Sequence, residues 1–164
     1  MSSSDYIQKI FAADEIASSV DLGQSSTQDS NRNQVEIFVA SEAIAAGALV
    51  SLDLAKANNG LRLLSVKEAD AADACPVGVA VTAALSGAKV EVVIKGIVEE
   101  AKTKGDVVNI AVGDALIVNT GGKLHAQAVN EGGAATFNLK PTVAVALEAT
   151  TADGTSRVYV MKNF

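Results

Sequence analysis

Three groups of residues in this chain are of types that carry chemistry. The first is Gly113-Asp-Ala-Leu-Ile-Val-Asn-Thr-Gly-Gly-Lys123, with paired glycines, a lysine and an early acid, as a phosphate loop would have. Such a loop needs a glycine five residues before the Gly-Lys pair and a Ser or Thr after the lysine, to supply the N–H cradle and the magnesium hydroxyl. Ile117 and Leu124 stand in those places. The same residues read well as a hairpin. Ala115 to Val118 is a short apolar run, Asn119-Thr120-Gly121-Gly122 tolerates positive φ, and Leu124, Ala126 and Ala128 then alternate with polar neighbours.

The second group is the single cysteine, Cys75, and the single histidine, His125. A Cys–His pair is a conceivable nucleophile, but a lone Cys before Pro76 in an Ala-rich stretch reads as a small buried hydrophobe. One cysteine also excludes an intrachain disulfide framework. The third group is the carboxylates and lysines. Glu99 and Glu100 are adjacent on a strand end, where side chains point to opposite faces, so they do not form an acid–base pair across a cleft. No carboxylates show metal-ligand spacing, and no G-x-S-x-G elbow is present. A carrier lysine needs a strand on each side; Lys162 is followed only by Asn163 and Phe164, and Lys123 lacks a flanking Met or Asp. The expectation is a protein that is not an enzyme, with no catalytic residue, no metal and no cofactor.

The elements that hold these residues must be built from small side chains. Of 164 residues 49 % are hydrophobic but only 4 % aromatic, and Trp is absent, which suits a narrow β-barrel or sandwich with closely approaching strands. A net charge of −6 and the lack of any Lys/Arg run argue against a nucleic-acid partner. The first residues, MSSSDYIQKIFAADEIASSV, have neither a basic region nor a continuous apolar one, so no signal peptide is expected. No run approaches the roughly 18 apolar residues of a membrane span, so a soluble protein made in a reducing compartment is expected, with no membrane partner.

Residues 1–34 differ in kind from the rest. Tyr6, Ile7, Ile10, Phe11 and Ala17 recur at helical spacing, and a polar stretch, DLGQSSTQDSNRNQ, follows. So short a helix is marginal alone, and the segment is expected to be an extended arm with a possible short helix that orders only by docking. From Val35 to Phe164 the pattern is β. VEIFVA, ALVSLDL, VGVAVTA, KVEVVIKGIVEEA, DVVNIAV, ALIVN, VAVALEA and RVYVMKN follow with Gly/Asn/Asp turns between them, an all-β barrel or sandwich. SVKEADAADA fits a helical turn or a loop. The domain repeats itself, with copies at about 40–100 and 105–164. Gly47 and Gly113 are 113 − 47 = 66 apart, as are Val79 and Val145 (145 − 79 = 66). Each copy offers a Gly, an alternating strand, an Asn/Gly turn (Asn58-Asn59-Gly60; Asn119 to Gly122), a Leu-x-(Leu/Ala) strand and a Pro-led V-A-V strand. Two half-barrels stacked or interleaved around one core would bury faces that neither half buries alone.

The phrase Gly113-Asp114, Gly121-Gly122-Lys123-Leu124, Val143-Ala-Val-Ala-Leu147 resembles the small decoration (cement) proteins of tailed-bacteriophage capsids, and a weaker version runs through Gly47, Asn59-Gly60-Leu61 and Val77-Gly-Val-Ala-Val81. The resemblance spans most of residues 40 to 162; it departs at Ala48, where Asp is expected, and in the arm. It implies a structural virion protein, a homotrimer of small β-barrels made in the host cytoplasm and seated on the outer capsid surface. There it would bind the major capsid protein and stabilise the shell, with Tyr6, Ile7, Ile10 and Phe11 of the arm as the capsid contact. A head-surface or receptor-binding fibre knob is the alternative, and a small ligand-binding barrel converging on His125 or Cys75 a further one.

Overall fold

The computed structural model describes residues 33–56, 59–73, 75–105, 109–127 and 141–161, all within 33–164, the second of two units into which the chain divides. The fold is all-β. Strands β1 (Gln34–Ala40) and β2 (Leu49–Leu52) precede a short helix α1 (Asn59–Leu64). Then come β3 (Ser65–Glu68), β4 (Pro76–Ala80), β5 (Lys89–Thr103), β6 (Ala115–Asn119), β7 (Lys123–Ala126), β8 (Ala144–Ala146) and β9 (Gly154–Val160).

Pairing closes these strands into two rings. In the first, β1 runs parallel to β3, and β3–β2, β2–β4, β4–β5 and β5–β1 are antiparallel. In the second, β5 runs parallel to β7, and β7–β6, β6–β8, β8–β9 and β9–β5 are antiparallel. Each is a five-stranded barrel, and β5 belongs to both. Its 15 residues span roughly 50 Å at about 3.3 Å each, enough for Lys89–Lys95 to close one ring and Gly96–Thr103 the other. At the crossing, Asn33 clamps the strand: the Ile97 N–H donates to Asn33 Oδ1 at 2.8 Å, and Asn33 Nδ2 donates to the Ile97 carbonyl at 3.0 Å.

The repeat is exact in register where the strands correspond. Leu49 faces Val79 as Ala115 faces Val145, and Val79 faces Val93 as Val145 faces Tyr159, each pair displaced by 66 (115 − 49, 145 − 79, 159 − 93). The isolated bridges Ile44–Ala84 and Ile110–Thr150 keep the same offset (110 − 44, 150 − 84). The third strands are displaced by less: Leu52 faces Val66 as Val118 faces Leu124, and 124 − 66 = 58. The β6–β7 connection is therefore eight residues shorter (66 − 58) than the β2–β3 connection.

Two expectations from the sequence are corrected here. Gly60-Leu61-Arg62-Leu63-Leu64 is not the return strand of the first hairpin; Asn59–Leu64 is α1, and Ser65–Glu68, left open between helix and loop, is the strand. The longer connection holds α1 where the β6–β7 connection is a tight turn. Nor do two halves share one core. Phe38, Ala40, Ile44, Val50, Val66, Val90, Val92 and Ile94 fill the first barrel, and Ala101, Leu116, Val118, Leu124, Ala144, Val158 and Val160 the second. What the copies do share is a seam. Leu49, Val79 and Val93 form an outward row on barrel one, yet they are buried within the core cluster of barrel two. This accounts for the continuous apolar runs of β2 and β4: one face fills their own barrel and the other meets the neighbour.

Candidate interaction surface

The phosphate-like loop is the tip of the β6–β7 hairpin and part of the seam. Gly122 donates its N–H to the Ala69 carbonyl at 2.9 Å, and its own carbonyl accepts from the Leu49 N–H at 2.7 Å. Its φ is +65°, and a Cβ there would lie 2.9 Å from the Ala48 methyl. Glycine is needed for close approach to barrel one, and its amide is already committed. Lys123 Nζ meets Asp153 Oδ2 at 2.5 Å on the surface.

The seam's other contact is the turn at Gly47. Ala48 N–H donates to the Ala45 carbonyl, with Gly47 at φ +72° in the third position, which favours glycine. The Gly47 carbonyl accepts from the Lys102 N–H at 2.7 Å, and a Cβ on Gly47 would stand 2.1 Å from the Glu100 carbonyl oxygen. In the second copy the matching turn at Gly113 has φ +91°, but nothing among the described residues lies within 4 Å of its Cβ position. The departure at Ala48 follows. Asp114 Oδ2 caps the Ala111 N–H at 2.8 Å in the second turn; Ala48, fully buried under Gly122, has no room for a carboxylate. Glu68 reaches the equivalent Ala45 N–H from β3 instead, at 3.0 Å, and its carboxylate also faces Lys102 at 3.9 Å.

Cys75 and His125 sit on different barrels. Cys75, half-buried just before β4, accepts the Leu52 N–H on its carbonyl; His125, on β7, faces Ile117 across the hairpin. Cys75 lines a pocket of about 120 Å³ with Leu52, Asp53, Lys67 and Asp73, which is small beside ordinary ligand sites of about 300–1,000 Å³. Its charges serve each other. Lys67 pairs with Asp73 at 2.9 Å, and Asp73 also accepts from Ser51 Oγ and the Asp70 N–H, both at 2.8 Å. Burial by itself raises the Asp73 pKa, but these bonds together hold it below the usual carboxylate value, while pairing with Asp73 raises that of Lys67. The neighbouring Ser41 hydroxyl first, then the Ala55 N–H and Lys56, lower Asp53 against the opposing effect of burial. Glu99 and Glu100 lie where the β5–β9 register shifts, so plain alternation fails there. Both are exposed, and Glu99 meets Arg157 Nε at 3.0 Å. Among the described residues no three His, Cys, Asp or Glu side chains gather as a metal site would require, and no helix is long and apolar enough to cross a membrane.

The apolar side chains left outside the two cores are more distinctive. Val35, Ile37 and Val39 form the outward stripe of β1, with Ile37 61 % exposed. Leu61, Leu63 and Leu64 of α1 and nearby Leu54 are exposed as well, Leu63 at 67 %. Ser65 pairs with Val39, so α1 ends beside the stripe. On barrel two, Val112 is 67 % exposed and Leu147 is exposed too, near the half-buried row Ala115, Val145 and Tyr159. Sequence reasoning missed the α1 leucines by reading Leu61-Arg62-Leu63 as an alternating strand; the adjacent Leu63 and Leu64, which break the alternation, were the available signal. Tyr6, Ile7, Ile10 and Phe11, expected to contact the capsid, lie outside the described residues.

The profile of the phage cement protein family matches residues 28–162, both barrels included. No curated protein matches the chain in sequence. Among solved structures, the N base of the head fibre gp8.5 of bacteriophage phi29 is similar at a TM-score of 0.51 and 16 % identity, over 78 % of this chain and 93 % of that one, a likeness of fold.

Proposed function

This chain belongs to the phage cement protein family, and from that premise we propose that it binds the outer surface of a phage capsid as a homotrimer and stabilises the shell. The match of the family profile across both barrels carries this reading. The architecture supports it: closed rings leave little free strand edge, and β1 and α1 expose Ile37, Leu61, Leu63 and Leu64 for docking. A trimer presents three footprints at once. After the first contact the others are intramolecular, so individually weak patches sum to firm attachment to the major capsid protein. No catalytic step is assigned to the chain.

The arm adds a second contact in this reading, with Tyr6, Ile7, Ile10 and Phe11 laid into a groove of the shell. Deleting residues 2–20 leaves a folded protein that no longer co-sediments with undecorated capsids, while the full chain does so and raises their resistance to heat. Full binding by the truncated chain refutes the role of the arm; failure of the full chain to bind refutes the cement reading.

The likeness to a head-fibre base favours a second reading, in which the two barrels anchor a fibre on the head. Virions stripped of the protein then keep their heat resistance and lose adsorption to cells.

A further inference from the structure

The seam within one chain describes how the next copy docks. Barrel one meets barrel two through the Gly47 turn, the row Leu49–Val79–Val93 and Glu68; barrel two receives it on Lys102 of β5 and on Gly122 of the β6–β7 connection. The repeat gives each half a counterpart on the other barrel. The docking half recurs on barrel two as the Gly113 turn and the row Ala115–Val145–Tyr159, which is only half-buried where Leu49, Val79 and Val93 are buried. The receiving half recurs on barrel one. Ala40 pairs with Val66 as Thr103 pairs with Leu124, and Ser41 and Lys104 donate alike to the carbonyls of Val66 and Leu124. Val39 therefore corresponds to Lys102 and Ile37 to Glu100, and α1 lies in the connection that corresponds to Gly121–Gly122.

The side chains change together between the two versions. The inner seam has the Lys102–Glu68 ion pair; the outer counterparts are Val39 and Ala126. Ala115 replaces Leu49, which leaves room for a bulkier connection, and the connection it would face is α1 with its exposed leucines. Of the exposed large apolar residues, Val35, Ile37, Val39, Leu61, Leu63 and Leu64 lie on the receiving end and Val112 beside the docking turn.

We propose that a second copy of this chain is the occupant of these surfaces, with its Gly113 turn and Ala115–Val145–Tyr159 row seated on β1 and α1 of the first. Val39 already pairs with Ser65, so side chains make this contact where the inner seam uses the Lys102 amide. Its two halves differ, which makes it heterologous, and a heterologous contact repeats from copy to copy, into a ring where the rotation closes and a filament where it does not. Closure at three, which rests on the trimer reading above, arranges three copies of two barrels as six barrels around one axis.

The test uses the full chain with Cys75→Ser, carrying Val39→Cys and Val112→Cys separately or together, treated with a short bismaleimide. A mixture of isotope-labelled and unlabelled chains identifies links between copies. The double variant gives a 39-to-112 link between chains and a ladder ending at three, and the single variants give none. Like-to-like links, 39-to-39 or 112-to-112, from a protein of trimer mass overturn the proposed seam and leave the trimer standing. A monomer mass without links overturns both. Separately, Ile37→Lys with an unchanged circular dichroism spectrum weakens self-association at least about tenfold; unchanged association overturns the proposal.

Discussion

Gly47→Ala and Gly113→Ala place the same methyl group at the same point of two matched turns, and the structure separates their costs. Both glycines have left-handed backbones, φ +72° and +91°, so each alanine carries about 1–2 kcal/mol of local strain. At Gly113 that is the whole cost in a single chain, because the space is open. At Gly47 the new carbon falls 2.1 Å from the Glu100 carbonyl oxygen, so the turn has to retreat by about 1 Å to reach ordinary contact. Retreat breaks the 2.7 Å bond from Lys102 N–H to the Gly47 carbonyl, a loss of about 1 kcal/mol. It also opens the edge of the Leu49–Val79–Val93 row; wetting about 40 Å² of apolar surface costs about 1 kcal/mol more. Gly47→Ala should therefore cost about 3–4 kcal/mol against 1–2 for Gly113→Ala. In urea, with a slope of about 1–3 kcal/mol per molar, the midpoints differ by roughly 1 M. The measurement belongs at the lowest workable concentration, since self-association stabilises the folded chain. Equal midpoints, or a costlier Gly113 variant, refute the claim that the Gly47 turn is wedged against β5. At high concentration the proposed seam adds a converse result, in which Gly113→Ala is the variant that fails to assemble.

Stability against pH follows the pairs around Asp73. Asp53 and Asp73 have lowered folded pKa values, so their contribution is present above about pH 4 and is lost as pH falls through the folded values below 3.8. Lys67 is raised, so its share holds below the ordinary 10.5 and fades only above that. Thermal midpoints should be level from about pH 5 to 9 and fall below 4, and Asp73→Asn should flatten part of the acid fall; an unchanged acid limb in that variant counts against the assignment. Asp114→Ala removes one cap on an exposed turn and should cost about 0.5–1 kcal/mol by urea titration, whereas Ala48→Asp, a carboxylate forced under Gly122, should cost about 3 kcal/mol or more. Lys123→Ala, at a surface ion pair, should change stability by less than about 1 kcal/mol; a larger loss would give the Lys123–Asp153 contact a structural weight its exposure does not suggest.

The all-β class and the repeat were legible because strand period and turn glycines are local properties, and Gly47/Gly113 and Val79/Val145 kept a common offset that the registers reproduce. The shared strand was hidden in plain view. KVEVVIKGIVEEAKT reads as one long strand, but no local signal says that its two halves close different rings; that depends on β1 and β9, far off in the chain. The seam was not legible for the same reason. Gly122 has the composition of a phosphate loop because close backbone approach demands glycine whether the approaching group is a phosphate or another barrel. Leu49, Val79 and Val93 look like ordinary core, although they face away from their own barrel. A repeated sequence thus shows that two units share a fold, while the residues that differ between copies show what each unit touches. Ala48 against Asp114, Lys102 against Val39 and Leu49 against Ala115 are such differences. The first two contrast a seam buried inside the chain with counterparts that are half-buried or exposed, and the third leaves room that the proposed seam fills with α1 of another copy.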